Sequence, residues 1–271
     1  MGAILGFLLG ASMALILGIL LSDEQMSAWG WRIPFLFAGP LGFVGMLIRS
    51  KLDETPEFVQ LRQKGEVKKF SLADAIVHHW KAILIVVAFS LFQNVALYVI
   101  LTYVPTHLTV TLGFSSIVGS LSAVIMMIFL CALIPVTGAL SDKIGRKPIL
   151  MASCIASLLL GVPLFLGMQA GNIVLAILCH LILGVILSLF LGPVLAASNE
   201  LFSTDVRYGG FSLGYNIAVA LFGGTSPYIV TLMVSKTGVL FSPGIYLGVA
   251  AIITGVVLLF IKEMAPVRKK D

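Results

Sequence analysis

Two stretches of this chain carry no charged residue. Residues 82–141 run for 60 positions without Asp, Glu, Lys or Arg, and residues 148–199 run for another 52. About 20 apolar residues in a helix cross the hydrocarbon layer, and a helix satisfies its own backbone polar groups there. The apolar runs between polar breaks therefore predict eight membrane-spanning helices, at 2–21, 33–48, 82–104, 117–140, 148–168, 173–197, 210–234 and 244–261. The second is short, with Trp29 and Trp31 placed to anchor it at the interface. The fold class is all-α and polytopic.

Composition supports this and excludes much else. Hydrophobic residues make up 59% of the chain and charged residues 11%, against about 25% charged in globular domains. The chain belongs in a lipid bilayer. Its net charge of +5 sits in short loops and a tail rather than in a stripe with interleaved aromatics, so no nucleic-acid partner is expected. The basic residues report topology. Fifteen Lys and Arg fall on one set of alternate connections and two, Arg32 and Lys236, on the other. The positive-inside rule then puts both termini in the cytoplasm of a cell with its plasma (inner) membrane spanned eight times. The first run has no basic segment ahead of it and no small-residue cleavage site, so it reads as a span rather than a signal peptide.

Cys131, Cys154 and Cys179 lie inside apolar runs with no metal or disulfide spacing, and read as small buried hydrophobes. No Walker loop, H-E-x-x-H or G-x-S-x-G occurs. No metal or cofactor is expected, and an enzyme is not.

The connection 49–81 is the one sizeable polar segment. Thr55, Pro56 and Glu57 read as a helix start, as do Ser71 and Asp74. Helices along the membrane surface, with Trp80 at headgroup level, are one reading of it; a flexible linker is the other. The predicted organisation is two helices at 1–48, a central cytoplasmic loop at 49–81, six helices at 82–262 and a cytoplasmic tail at 263–271.

Candidate functional residues fall into two groups. The turn 138–147, GALSDKIGRK, joins the two uncharged runs. Gly138 and Gly145 permit close helix approach and a sharp turn. Asp142 can face a helix N-terminus or pair with Arg146, and Arg146 and Lys147 hold the turn on the cytoplasmic side. Arg207, after Glu200 and Asp205, can join an ion-pair network there or stand as a solvated loop charge. The second group is polar residues inside spans, which should face a bundle interior or cavity. Asn94 and Tyr98 share one helix face beside Gln93; with Tyr103 they offer hydrogen bonds to a carboxylate and aromatic faces to a quaternary ammonium. Tyr215 and Asn216 form a weaker pair. Helix–helix hydrogen bonding is the alternative role for all of these. His180, deep in the sixth span, reads as a hydrogen-bonded packing histidine, with a proton relay as the alternative. Gly184, Ser188 and Gly192, and likewise Gly210 and Gly214, are spaced for close packing. Gly223, Gly224 and Pro227 predict a bend in the seventh span.

Several blocks together resemble one family. WGWRIPFL at 29–36 followed by LDETPEF at 52–58, the GALSDKIGRK turn, Gln93 and Asn94 with Tyr98, Tyr103 and Pro105, and ELF at 200–202 through VRY at 206–208 are similar to the metabolite:proton symporter branch of the major facilitator superfamily. Within it they look like bacterial proline/betaine transporters. The resemblance implies a fold of twelve helices in two halves, of which this chain corresponds to the fifth to twelfth. It implies a conformational latch at Gly138, Asp142, Gly145, Arg146, Lys147 and Arg207. It also implies proton-coupled uptake of a small polar solute, an osmoprotectant such as proline or glycine betaine, by alternating access between the halves. A symporter for organic acids is the runner-up. Because no Asp or Glu lies mid-span, the other expectation is a remnant or partner subunit that needs a four-helix amino-terminal fragment.

Overall fold

The computed structural model of the chain describes residues 2–51, 72–202 and 206–263, without the side chains of 72–76, 207 and 208. Among the described residues all regular structure is helical. Eight helices are long and apolar enough to cross a membrane: Gly2–Leu20, Gly30–Ser50, Val77–Thr111, Ser116–Ile144, Arg146–Met168, Ile173–Glu200, Gly209–Thr237 and Ser242–Phe260. They are called the first to eighth spans below. Each predicted run falls on one of them.

The third span differs most from expectation. It continues to Thr111 instead of stopping near Val104. Proline in a helix interior removes one bond and clashes with the turn before it, and the predicted span ends at Val104, just before Pro105. Instead the helix runs on, with two wide π-helical turns, Val99–Tyr103 before Pro105 and His107–Thr111 after it. At its other end the helix begins at Leu72 and is kinked at His79, where φ is −122°. The expected helix start at Thr55, and Ser71, lie outside the described residues. The seventh span breaks as Gly223 and Pro227 foretold. A π-helical turn over Val219–Gly223 separates Arg207–Ala218 from Ser226–Thr237.

A short helix, Asp23–Ala28, links the first two spans. Ser22 caps it, its hydroxyl accepting from the Gln25 N–H while the Gln25 side chain accepts from the Ser22 N–H. This reciprocal cap is the S-x-x-Q pattern that marks a helix start.

The core lies among the third to sixth spans, with Phe89, Phe92, Leu130, Leu150, Phe165, Leu183 and Phe190 fully buried. Phe92 and Phe190 meet edge to face at 4.7 Å. Lipid is as apolar as leucine, so close van der Waals fit holds such helices together rather than flight from water. Small residues supply the fit. A Cβ on Gly192 would lie 2.7 Å from the Gly138 nitrogen, and one on Gly184 3.2 Å from the Met126 side chain. Thr137 donates to the Ser188 carbonyl at 2.8 Å across the same seam. Gly210 accommodates the Phe202 ring, and Gly214 the Ile83 carbonyl and Val86. The fifth and eighth spans touch backbone to backbone at Gly161 and Gly244. The first span lies along the fourth, and no residue of Ile33–Ser50 is buried.

Candidate functional site

The turn between the fourth and fifth spans is built as a clasp. Gly145 adopts φ +115°, which favours glycine, and a Cβ there would sit 2.7 Å from the Glu263 carboxylate. This turn aims the Arg146 side chain, only 12% exposed, back along the fourth span. There it pairs with Asp142, donates to Ser141 Oγ at 2.7 Å and reaches Glu200 Oε1 of the sixth span at 3.3 Å. A planar guanidinium spreads its donors over separate nitrogens in a fixed fork, here Nη1 toward Asp142 and Ser141 and Nη2 toward Glu200, whereas a lysine's three donors all issue from one nitrogen.

The same turn also grips the eighth span, reciprocally. Glu263 Oε1 accepts the Arg146 N–H at 2.8 Å, and Oε2 the Lys147 N–H at 3.2 Å. The carboxylate thereby caps the positive N-terminal end of the fifth span. Lys147 Nζ returns the favour at the negative C-terminal end of the eighth span, donating to the Ile261 carbonyl at 2.7 Å and the Leu259 carbonyl at 3.2 Å. Four spans thus converge on one turn. Glu263 was missed in the sequence because nothing local marks a partner more than a hundred residues away. Asp205 and the Arg207 side chain lie outside the described residues.

The intramembrane polar residues separate into two places. Asn94 and Tyr98 meet the broken seventh span at Gly223. A Cβ there would lie 3.0 Å from the Tyr98 ring and 3.3 Å from Asn94 Oδ1, so a glycine is what admits both. Asn94 Nδ2 donates to the Ser90 carbonyl at 2.8 Å, which leaves Oδ1 toward the seventh span. Tyr215, on the seventh span, has Phe211 stacked on it at 5.4 Å. Gln93 is buried, with its Oε1 lacking a partner among the described residues. Asn216 is exposed and donates to the Ser212 carbonyl of its own helix at 2.7 Å. Tyr103 is not brought to Tyr98. It is buried one π turn further on, with its hydroxyl 3.5 Å from His107 Nδ1, and His107 in turn meets Phe165 edge to face.

A cavity of about 730 Å³ lies between the first span and the break in the third. Gly6, Gly10, Leu101, Thr102, Pro105 and Ser120 are among its walls. None of the six predicted solute-contacting residues lines it. Among the described residues no cluster of His, Cys, Asp and Glu could hold a metal.

Spans with π turns that meet at polar residues, and a charged clasp binding four spans at one end, belong to a multi-pass membrane protein. Residues 1–223 match the family model of the Major Facilitator Superfamily, and the chain belongs to that superfamily. It is 36% identical to a glycine betaine/proline/ectoine/pipecolic acid transporter of Dickeya dadantii, over 97% of this chain and 54% of that protein. It is 34% identical to an ectoine/proline transporter of Corynebacterium glutamicum, over 97% of this chain and 55% of the relative. A proline/betaine transporter of Escherichia coli K12 is 32% identical over the same 97%, and 54% of its own length. The chain spans about half the length of the curated relatives it matches. The crystal structure of a D-xylose-proton symporter superposes with a TM-score of 0.68 at 19% identity, covering 99% of this chain and 62% of the symporter chain. That likeness concerns the fold.

Proposed function

We propose that this chain takes part in secondary active, proton-coupled uptake of a small zwitterionic osmoprotectant, proline or glycine betaine, by alternating access. The observation that carries the reading is the meeting of the two spans with π-turn breaks, the third and the seventh, at Asn94, Tyr98 and Gly223. Single π turns inside α-helices occur frequently at functional sites, and polar groups within a membrane span mark candidate solute pathways. The relatives supply the solute class, since those named above are called transporters of betaine, proline or ectoine. A quaternary ammonium would rest on the faces of Tyr98 and Tyr215, with Asn94 Oδ1 turned to the same crossing, while the side-chain amide of Gln93 offers a donor to the carboxylate.

On this reading the Arg146 clasp lies on the cytoplasmic side of the plasma (inner) membrane, as the Lys and Arg distribution argues, and both termini are cytoplasmic. Residues 1–48 belong to one half of the transporter, 82–262 to the other, and 49–81 to the loop between them. The clasp holds the fourth, fifth, sixth and eighth spans as one body while the halves rock. A second reading, a subunit that transports only with further helices, is favoured by the first two spans: only Ile4 is buried on the first and no residue on the second helix.

The test is uptake of labelled proline and glycine betaine, driven by an imposed proton gradient, in cells lacking their own transporters. The chain is expressed alone and beside a four-span amino-terminal fragment of a related transporter. Gradient-dependent uptake in either sample supports the proposal, and uptake only in the second supports the subunit reading. Silence in both, with the chain inserted in the membrane, refutes transport of these solutes.

A further inference from the structure

The third span breaks where its hydrogen-bond register fails. The Val104 N–H reaches back five residues to the Val99 carbonyl, instead of four to Ile100. The next donor position is Pro105, which has no N–H. Both helical donors that the register offers to the Ile100 carbonyl are therefore gone. A polar group left unpaired away from water is costly.

His180, fully buried on the sixth span, lies at that oxygen. Its Nε2 is 2.9 Å from the Ile100 carbonyl, and its Nδ1 is 2.6 Å from Ser122 Oγ on the fourth span. A carbonyl only accepts, so Nε2 carries a proton. In the neutral ring Nδ1 then accepts from the Ser122 hydroxyl. Both ring nitrogens are occupied, and three spans are tied together at the break. Leu101, Thr102 and Pro105, the residues just past Ile100, form one wall of the 730 Å³ cavity.

We propose that His180 is the positioning residue for the break in the third span, donating Nε2–H to the Ile100 carbonyl that the π turn and Pro105 leave without a backbone donor. It thereby holds the cavity wall at Leu101, Thr102 and Pro105 in place. The role goes beyond the transport reading and is tested without solute, so either can fail alone.

The experiment is a thermal-unfolding cycle on the purified full chain in detergent, comparing wild type, H180L, P105A, P105A/H180L and H180Q. Leucine strands both the Ile100 carbonyl and the Ser122 hydroxyl, and the expected fall in Tm is roughly 5 °C. Pro105→Ala restores a backbone donor for the Ile100 carbonyl but leaves the Ser122 hydroxyl stranded, so His180→Leu in that background should cost about half as much. Glutamine, whose amide N–H can reach the site of Nε2, should recover at least half of the fall. Equal falls in the two backgrounds, an H180L protein as stable as wild type, or a glutamine no better than leucine would each overturn the proposal. If H180L cannot be recovered folded, the double variant must be, and loss of both overturns it too.

Discussion

Gly244→Ala offers the sharpest test of how the bundle is packed. A Cβ on Gly244 would lie 2.6 Å from the carbonyl carbon and oxygen of Gly161 and 2.7 Å from the Val162 nitrogen. All three atoms are backbone, so no side chain can swing aside. Ordinary contact begins at 3.4 Å, and the fifth and eighth spans would have to part locally by ~0.8 Å. The reverse substitution is milder, because a Cβ on Gly161 meets the Gly244 carbonyl oxygen at 3.0 Å, needing about half that displacement. Each atom pair contributes only ~0.1–0.2 kcal/mol, but a whole seam loosens together, and overpacked interiors lose ~1–3 kcal/mol. Gly244→Ala belongs near the upper end, about 3 kcal/mol, and Gly161→Ala near 1 kcal/mol. At ~2–4 °C per kcal/mol for a chain of roughly this size, the expected falls in Tm are ~6–12 °C and ~2–4 °C. The assay is thermal unfolding in detergent, read by loss of the monodisperse peak in size-exclusion chromatography. A Gly161→Ala protein as unstable as Gly244→Ala, or a Gly244→Ala protein within 2 °C (about one unit of that scale) of wild type, would show that the two backbones have slack.

The clasp makes two further predictions. Arg146→Lys keeps the charge but gathers its donors on one nitrogen, in place of the two that reach Asp142 and Ser141 on one side and Glu200 on the other; a loss of about 1–2 kcal/mol is expected, read as a lower unfolding midpoint, and a midpoint equal to wild type would contradict the fork. Lys147→Ala removes the donor to the Leu259 and Ile261 carbonyls, at a cost of about 0.5–1 kcal/mol. Amide hydrogen exchange should accelerate in the last turn of the eighth span and leave the middle of that helix unchanged, whereas unchanged exchange at that end would remove Lys147 from the capping role.

Absence of charge made the eight spans legible, because nothing but lipid tolerates 60 consecutive uncharged residues of this hydropathy. The Asp142–Arg146 pair was legible for a local reason: residues four apart on a helix are neighbours. The glycine spacings at Gly184, Gly192, Gly210 and Gly214 likewise foretold close packing, though not which helix each would meet. The break in the third span was hidden. The predicted span stops just before Pro105, while the helix runs on through two π turns, with a histidine arriving from the sixth span. Tyr98 faces Gly223 while Tyr103 packs on His107, since residues five apart already point to different faces of a helix. Glu263 was hidden because its partners are far away in sequence, and the Ser22–Gln25 cap because a six-residue helix is too short to show a periodic pattern beside the apolar run before it.

The central claim is that solute is held where the broken third and seventh spans cross. Its most direct test is the KM for glycine betaine uptake of Tyr98→Ala against wild type, in whichever of the two expression samples transports. Losing one aromatic face to a desolvated cation forfeits ~1–2 kcal/mol, and 1.4 kcal/mol is about tenfold. The account predicts a KM raised by about tenfold at equal membrane abundance. An unchanged KM would place the site elsewhere and contradict it.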